Sequence, residues 1–140
     1  MKSLPFIVII LLFAGCTKDG EPVPQLIVNF ASTSIGFGSS EYDRSVNIEF
    51  NRVPIIPTIV EVKLTNAEGT AYGVDYMTNP VAVNDTIEVA FPLGASVSSL
   101  SISKLKLAED HEQRSFVMTI VSVSSNGLPG SNDTLEVVLE

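Results

Sequence analysis

From Leu26 onward the chain alternates between apolar and polar side chains in short, regularly interrupted runs. In Ser45–Phe50, Val46, Ile48 and Phe50 share one side and Asn47 and Glu49 the other. In Ile59–Thr65, Val60, Val62 and Leu64 stand opposite Glu61, Lys63 and Thr65. Ile87, Val89 and Phe91 line one side of Thr86–Phe91, as do Leu135, Val137 and Leu139 near the end of the chain. A period of two is the mark of a strand with one buried face. Leu26–Phe30 is a short apolar strand candidate, and Phe116–Val123, almost entirely apolar and Thr, reads as a strand covered partly on both faces. Val97–Leu107 changes phase: Leu100 and Ile102 share a side, whereas Leu105 and Leu107 have the opposite parity. A bulge near Ser103–Lys104 would turn all four inward. Turn residues separate the runs at Asn66–Gly69, Asn84–Asp85, Gly94, Asn126–Gly127 and Leu128–Asp133. No helical period persists beyond two turns. About seven strands with turns every 8–12 residues predict an all-β, antiparallel β-sandwich, with a closed barrel as the alternative.

Ahead of this region lies a segment of different character. Lys2 is followed by an apolar run, Leu4–Phe13, broken only by Pro5, and then by Ala14, Gly15 and Cys16. That order predicts a secretory signal peptide over residues 1–15, and the apolar run is too short for a spanning helix of ~20 residues. Phe13-Ala14-Gly15-Cys16 resembles the lipobox of bacterial lipoproteins, although Phe13 replaces the usual Leu. The resemblance implies that Cys16 is acylated and becomes the new N-terminus. Cys16 is the single cysteine of the chain, so no internal disulfide is available and the fold depends on its own apolar core. Residues 16–25 then read as a lipidated Cys and a polar, Pro-containing tether, and residues 26–140 as one β-sandwich domain. Asp19 and Glu21 resemble the acidic export signals of surface lipoproteins, interrupted here by Lys18. The expected location is the outer membrane, on its periplasmic or surface-exposed face, with the membrane met through the N-terminal lipid.

Charge narrows the partners. The chain carries 8 basic and 16 acidic residues; losing Lys2 with the signal peptide leaves 7 against 16, a net −9. Nucleic acid is excluded as a partner, since no basic stripe exists to displace counterions from phosphates.

The most specific string is Gly69-Thr70-Ala71-Tyr72-Gly73-Val74-Asp75-Tyr76. It resembles the Gly-Thr-Ala to Asp-Tyr signature of Calx-beta domains, one residue shorter between Ala71 and Gly73. Phe91-Pro92-Leu93-Gly94 before Val97–Leu107, and Glu109-Asp110-His111-Glu112 before Phe116, resemble further segments of that family. The resemblance covers Leu26 to Glu140 and implies a seven-stranded, Ig-like sandwich. It also implies calcium as a possible ligand, through Asp75 with Glu109, Asp110 and Glu112, and with Glu41 or Asp43 without a firm register. The aspartates that follow the last strand in calcium-binding members are missing here. The residues themselves admit a purely structural reading. Gly69 and Gly73 permit unusual backbone angles, Asp75 can close a turn through its own side chain, and Tyr76 can pack while its hydroxyl finds a partner. A short charge run such as Glu109–Glu112 can equally be a solvated loop.

Catalysis finds no footing. His111 is the only histidine and sits among carboxylates, no Gly-x-Ser-x-Gly turn occurs, and zinc would need several His, Cys or carboxylate ligands. The protein is therefore expected not to be an enzyme. One loop is unusual: Val53-Pro54-Ile55-Ile56-Pro57 lies between two clean strands yet is wholly apolar, where loops are normally polar. Val53, Ile55 and Ile56 either form a rigid tip for a partner, or Ile55 or Ile56 folds back over the end of the sandwich. The expected function is a lipid-anchored cell-envelope binding or structural module with a protein partner in the envelope. Alternatives are a calcium-binding module with a partial site and a glycan-binding accessory lipoprotein of a polysaccharide uptake system, the latter weakened by three Tyr and no Trp. Oligomeric state is not legible.

Overall fold

A computed structural model describes residues 24–106 and 113–140. The described residues form ten strands and no helix: β1 (Ile27–Phe30), β2 (Ser34–Phe37), β3 (Asp43–Phe50), β4 (Thr58–Asn66), β5 (Tyr76–Asn79), β6 (Thr86–Phe91), β7 (Val97–Lys104), β8 (Arg114–Val123), β9 (Leu128–Pro129) and β10 (Thr134–Leu139). They make two five-stranded sheets, ordered β5-β7-β3-β1-β9 and β2-β10-β8-β4-β6. This is the all-β, two-layer, Ig-like sandwich that the alternation predicts.

The core lies between the sheets and is built from the predicted parity. Val46, Ile48 and Phe50, then Val60, Val62 and Leu64, then Ile87, Val89 and Phe91, and finally Leu135, Val137 and Leu139 all point inward and are buried. Their polar neighbours face out, because successive side chains of a strand take opposite faces. Burying each such apolar side chain contributes ~1.5–3 kcal/mol. Aromatic pairs tie the layers near each end. Phe50 of β3 meets Phe91 of β6 edge-on at 4.5 Å, and Tyr76 of β5 stacks on Phe116 of β8 at 3.7 Å.

Four details depart from the sequence reading. The strand Ser34–Phe37 arises where no strand was expected, pairing in parallel with β10; only Phe37 of its four residues is fully buried. Leu128–Pro129, expected as turn, pairs in parallel with Ile27–Val28, so the sandwich is not wholly antiparallel. The expected bulge near Ser103–Lys104 does not form. Instead β7 keeps its register against β3 from Glu49↔Val97 to Asp43↔Ser103, Lys104 takes the next inward position, and Leu105 is exposed. Lys104 tolerates this because its aliphatic stem is covered while its ammonium donates to the Gly38 and Glu140 carbonyls at 3.1 and 2.5 Å. Leu107 lies outside the described residues. The irregularity falls instead in β4 against β8, between Glu61 and Val62.

Candidate functional site

The sandwich has two ends of opposite chemistry. One carries Pro24–Leu26, the β3–β4 loop 51–57, the β6–β7 turn 92–96 and the β8–β9 turn 124–127, and is here called the tether end because the chain enters the domain through it. The other carries the β2–β3 turn 38–42, the β4–β5 connection 67–75, the flanks of the β7–β8 connection and the C-terminal Glu140, and is called the far end.

The string Gly69–Tyr76 builds the far end. Gly69 and Gly73 have φ of 81° and 80°, a left-handed conformation open to glycine. Asp75 is buried. Its Oδ2 accepts the Ala71 N–H at 2.8 Å, and its Oδ1 forms an ion pair with the Arg114 guanidinium at the first position of β8. Thr70 Oγ1 accepts the Ser115 N–H at 3.2 Å, a second tie to β8. Tyr76 is fully buried between Phe116 and Tyr72, the latter edge-on at 5.3 Å, and its hydroxyl donates to Asn66 Oδ1 at 2.6 Å. Burial, aided by the Asp85 charge, pushes the Tyr76 hydroxyl pKa well above its usual value. The string therefore turns the chain from one sheet to the other and locks the turn onto β8.

This geometry bears on calcium. The ion needs six to eight converging oxygens. Both carboxylate oxygens of Asp75 are engaged, one by a guanidinium that would repel a cation. Glu41 is held by the Gly38 N–H at 2.8 Å and by Arg44 at 3.3 Å; the Gly38 N–H first, and the Arg44 charge with it, keep its carboxyl below the usual range. Asp43 accepts the Ser103 hydroxyl at 2.5 Å. Among the described residues no group of three or more His, Cys, Asp or Glu is placed to hold a metal ion. The described far-end carboxylates, Glu41, Asp43 and Asp75, are not placed together to hold a calcium ion. Glu109, Asp110 and Glu112 lie outside the described residues, as does Cys16.

The tether end is the reverse. Val53, Ile55, Ile56 and Leu93 are 47%, 78%, 50% and 67% exposed. Of the apolar loop only Pro54 folds inward, so Ile55 and Ile56 do not cap the sandwich. The loop is held from below. Asn51 Oδ1 accepts the Ile27 N–H at 2.9 Å and its amide donates to the Gln25 carbonyl at 3.0 Å. Arg52 Nε donates to the Pro24 carbonyl at 2.9 Å. Thr58, buried at the foot of β4, donates to the Ile56 carbonyl at 3.0 Å. Across the end, Ser125 and Asn126 sit at φ of 65° and 57°. Gly127 approaches so closely that a Cβ there would lie 2.4 Å from Val123 Cγ1. Pro24, Arg52, Ile55, Ile56, Ser125 and Asn126 border an open groove of about 360 Å³.

Sequence reasoning singled out Val53, Ile55, Ile56 and Asp75 and did not single out Arg114, Leu93 or Pro24. Leu93 had a signal, an apolar residue at the tip of a Pro-Leu-Gly turn. Arg114 had none, because its partner is 39 positions away.

The fold is that of Calx-beta domains. The chain is similar to the apo-form Calx CBD1 domain, with 15% identity over 83% of this chain and 98% of that one and a TM-score of 0.63. It is also similar to a structure described as the calcium binding domain CBD12 of CALX1.1, with 14% identity over 81% of this chain and 44% of that one and a TM-score of 0.65. The periplasmic chaperone SfaE shares the sandwich more loosely, with 12% identity over 81% of this chain and 57% of that one and a TM-score of 0.55. No protein-family model and no curated protein matches the sequence. Identities this low speak to the fold alone.

Proposed function

We propose that the protein is a lipid-anchored cell-envelope module that works by binding and presentation and carries out no catalysis. The signal-peptide pattern and the sequence ending in Cys16 supply the anchor. The observation that carries the binding role is the tether end. Val53, Ile55 and Ile56 stand exposed on a loop stiffened by two prolines and hydrogen-bonded beneath, so a contact there loses little conformational entropy. Exposed apolar residues grouped in this way mark contact surfaces. The fold supports such a role, since the solved structures it resembles include calcium-binding domains and a chaperone, though calcium at the far end would first have to displace Arg114 from Asp75.

The test is expression of the full chain and of Cys16→Ser in a bacterium that processes lipoproteins. The unaltered chain is expected in the membrane fraction, with an acylated N-terminal cysteine by mass spectrometry, and Cys16→Ser in the soluble fraction. An unaltered chain that is soluble and unacylated overturns the reading.

A further inference from the structure

We propose that the tether end is a membrane-resting face: Val53, Ile55, Ile56 and Leu93 seat the domain on the lipid bilayer that holds the Cys16 acyl group. This rests on the acylated-Cys16 reading and names what the exposed tip touches.

Three observations lead there. The first is position. Pro24 is bound to the tip loop through its carbonyl by Arg52 and borders the same groove as Ile55 and Ile56. The chain thus enters the domain beside the tip and not at the far end. Eight residue steps separate Cys16 from Pro24, a span of at most about 30 Å at ~3.3–3.6 Å per residue. A domain held on so short a lead with its root at this end keeps this end toward the bilayer.

The second is charge. The turns of the tether end, 24–26, 51–57, 92–96 and 124–127, contain no Asp or Glu and one cation, Arg52. The carboxylates begin inside the strands, with Glu49 in β3 and Glu61 in β4. In a chain of net −8 that distribution is one-sided, and it lowers the repulsion an acidic protein otherwise meets at an anionic lipid surface, leaving Asp19 and Glu21 of the lead, beside Lys18, as the nearest carboxylates in sequence. Arg52 is placed to meet a headgroup phosphate, since only its Nε is taken by the Pro24 carbonyl among the hydrogen bonds described.

The third is chemistry. The exposed apolar side chains project from two turns, β3–β4 and β6–β7, that each cross from one sheet to the other and lie side by side, since β3 neighbours β7 and β4 neighbours β6, so they form a footprint instead of a ridge. The turns beside them are capped by Ser124, Ser125 and Asn126, small polar groups suited to the headgroup layer. Apolar side chains entering the acyl boundary with polar and cationic groups above them are the arrangement of an interfacially bound element. Neither Ile55 nor Ile56 is needed by the core, which closes beneath them on Pro54 and Thr58.

The chain has no Trp, so a single introduced indole reports its own surroundings. The full chain carrying Ile55→Trp, and separately Leu93→Trp and Glu68→Trp, is purified in acylated form and reconstituted into vesicles of phosphatidylethanolamine and phosphatidylglycerol. The expected result is an emission shift to shorter wavelength and quenching by brominated acyl chains at positions 55 and 93, and neither at 68 on the far end. Leu93→Trp decides the matter if Ile55→Trp folds poorly. Unshifted, unquenched emission at 55 and 93 in a protein whose Cys16 is acylated overturns the proposal and leaves the anchor standing. An unacylated Cys16 overturns both. A shift that grows with protein concentration in detergent, without quenching by brominated lipid, assigns the patch to a second copy of the chain and also overturns it. A shift that appears only on adding solubilised envelope proteins does the same in favour of a protein.

Discussion

The two ends of the sandwich solve the same problem, closing a gap between sheets, with opposite materials. The far end closes with charge and hydroxyls: Asp75 on Arg114, Tyr76 on Asn66, Lys104 on two carbonyls. The tether end closes with hydrogen bonds of the Asn51, Arg52 and Thr58 side chains to backbone groups and leaves Val53, Ile55, Ile56 and Leu93 outside. A buried ion pair is a fixed geometry that fails if either partner is lost. An exposed apolar tip contributes almost nothing to the fold, so its residues are free to serve an outside contact. The far end is therefore where losing a single partner costs most, and the tether end is where apolar surface is available.

The largest expected effect breaks the far end. Arg114→Ala leaves the Asp75 carboxylate buried without its counter-charge, and destabilisation of about 3–5 kcal/mol is expected, read as a lowered midpoint in urea. A loss under about 1 kcal/mol would show that the corner does not depend on the pair. Next, Gly127→Ala at the tether end puts a Cβ against Val123 and is expected to cost about 1–3 kcal/mol through overpacking; an unchanged midpoint would mean that the turn shifts freely. Tyr76→Phe removes the Asn66 hydrogen bond, at about 1 kcal/mol, and changes the pH dependence. Tyrosine in the unfolded chain ionises near pH 10, whereas burial raises the folded value. The folded state therefore holds that proton more tightly. The stabilisation it gives is whole below pH ~10 and drains away as the pH rises past that point toward the raised folded pKa. Denaturation series at stepped alkaline pH should show a decline that Tyr76→Phe flattens. The smallest effect sharpens the contrast. Ile55→Ser with Ile56→Ser is expected to move stability by no more than about 0.5 kcal/mol per site; a drop of several kcal/mol would make the pair part of the core.

Most of the fold was legible because the inward positions repeat every second residue. Val60, Val62 and Leu64 could not occupy any other face without exposing all three. β2 and β9 were hidden because neither carries that repeat. Ser34–Phe37 has a Gly at its third position and one fully buried residue, and Leu128–Pro129 is two residues long. Both are sheet edges paired in parallel to strands distant in sequence, so their existence is a consequence of tertiary packing. The bulge at Ser103–Lys104 was expected so that Leu105 and Leu107 could turn inward; instead Lys104 takes the inward position, its long stem covered while its ammonium reaches carbonyls. At the candidate site, the apolar tip and the turn-closing role of Asp75 were visible locally. The Asp75–Arg114 pair was not, since an Arg opening a strand looks like any solvated cation until β8 is laid beside the 67–75 connection.

The neighbours of β1 add a mechanical consequence. A pull applied at Pro24 and resisted at the far end runs along β1, whose ladder bonds to β3 and β9 lie across that direction. The load is then shared among those bonds as shear and does not peel them one at a time. Force entering at Pro24 is thus met by two neighbouring strands at once.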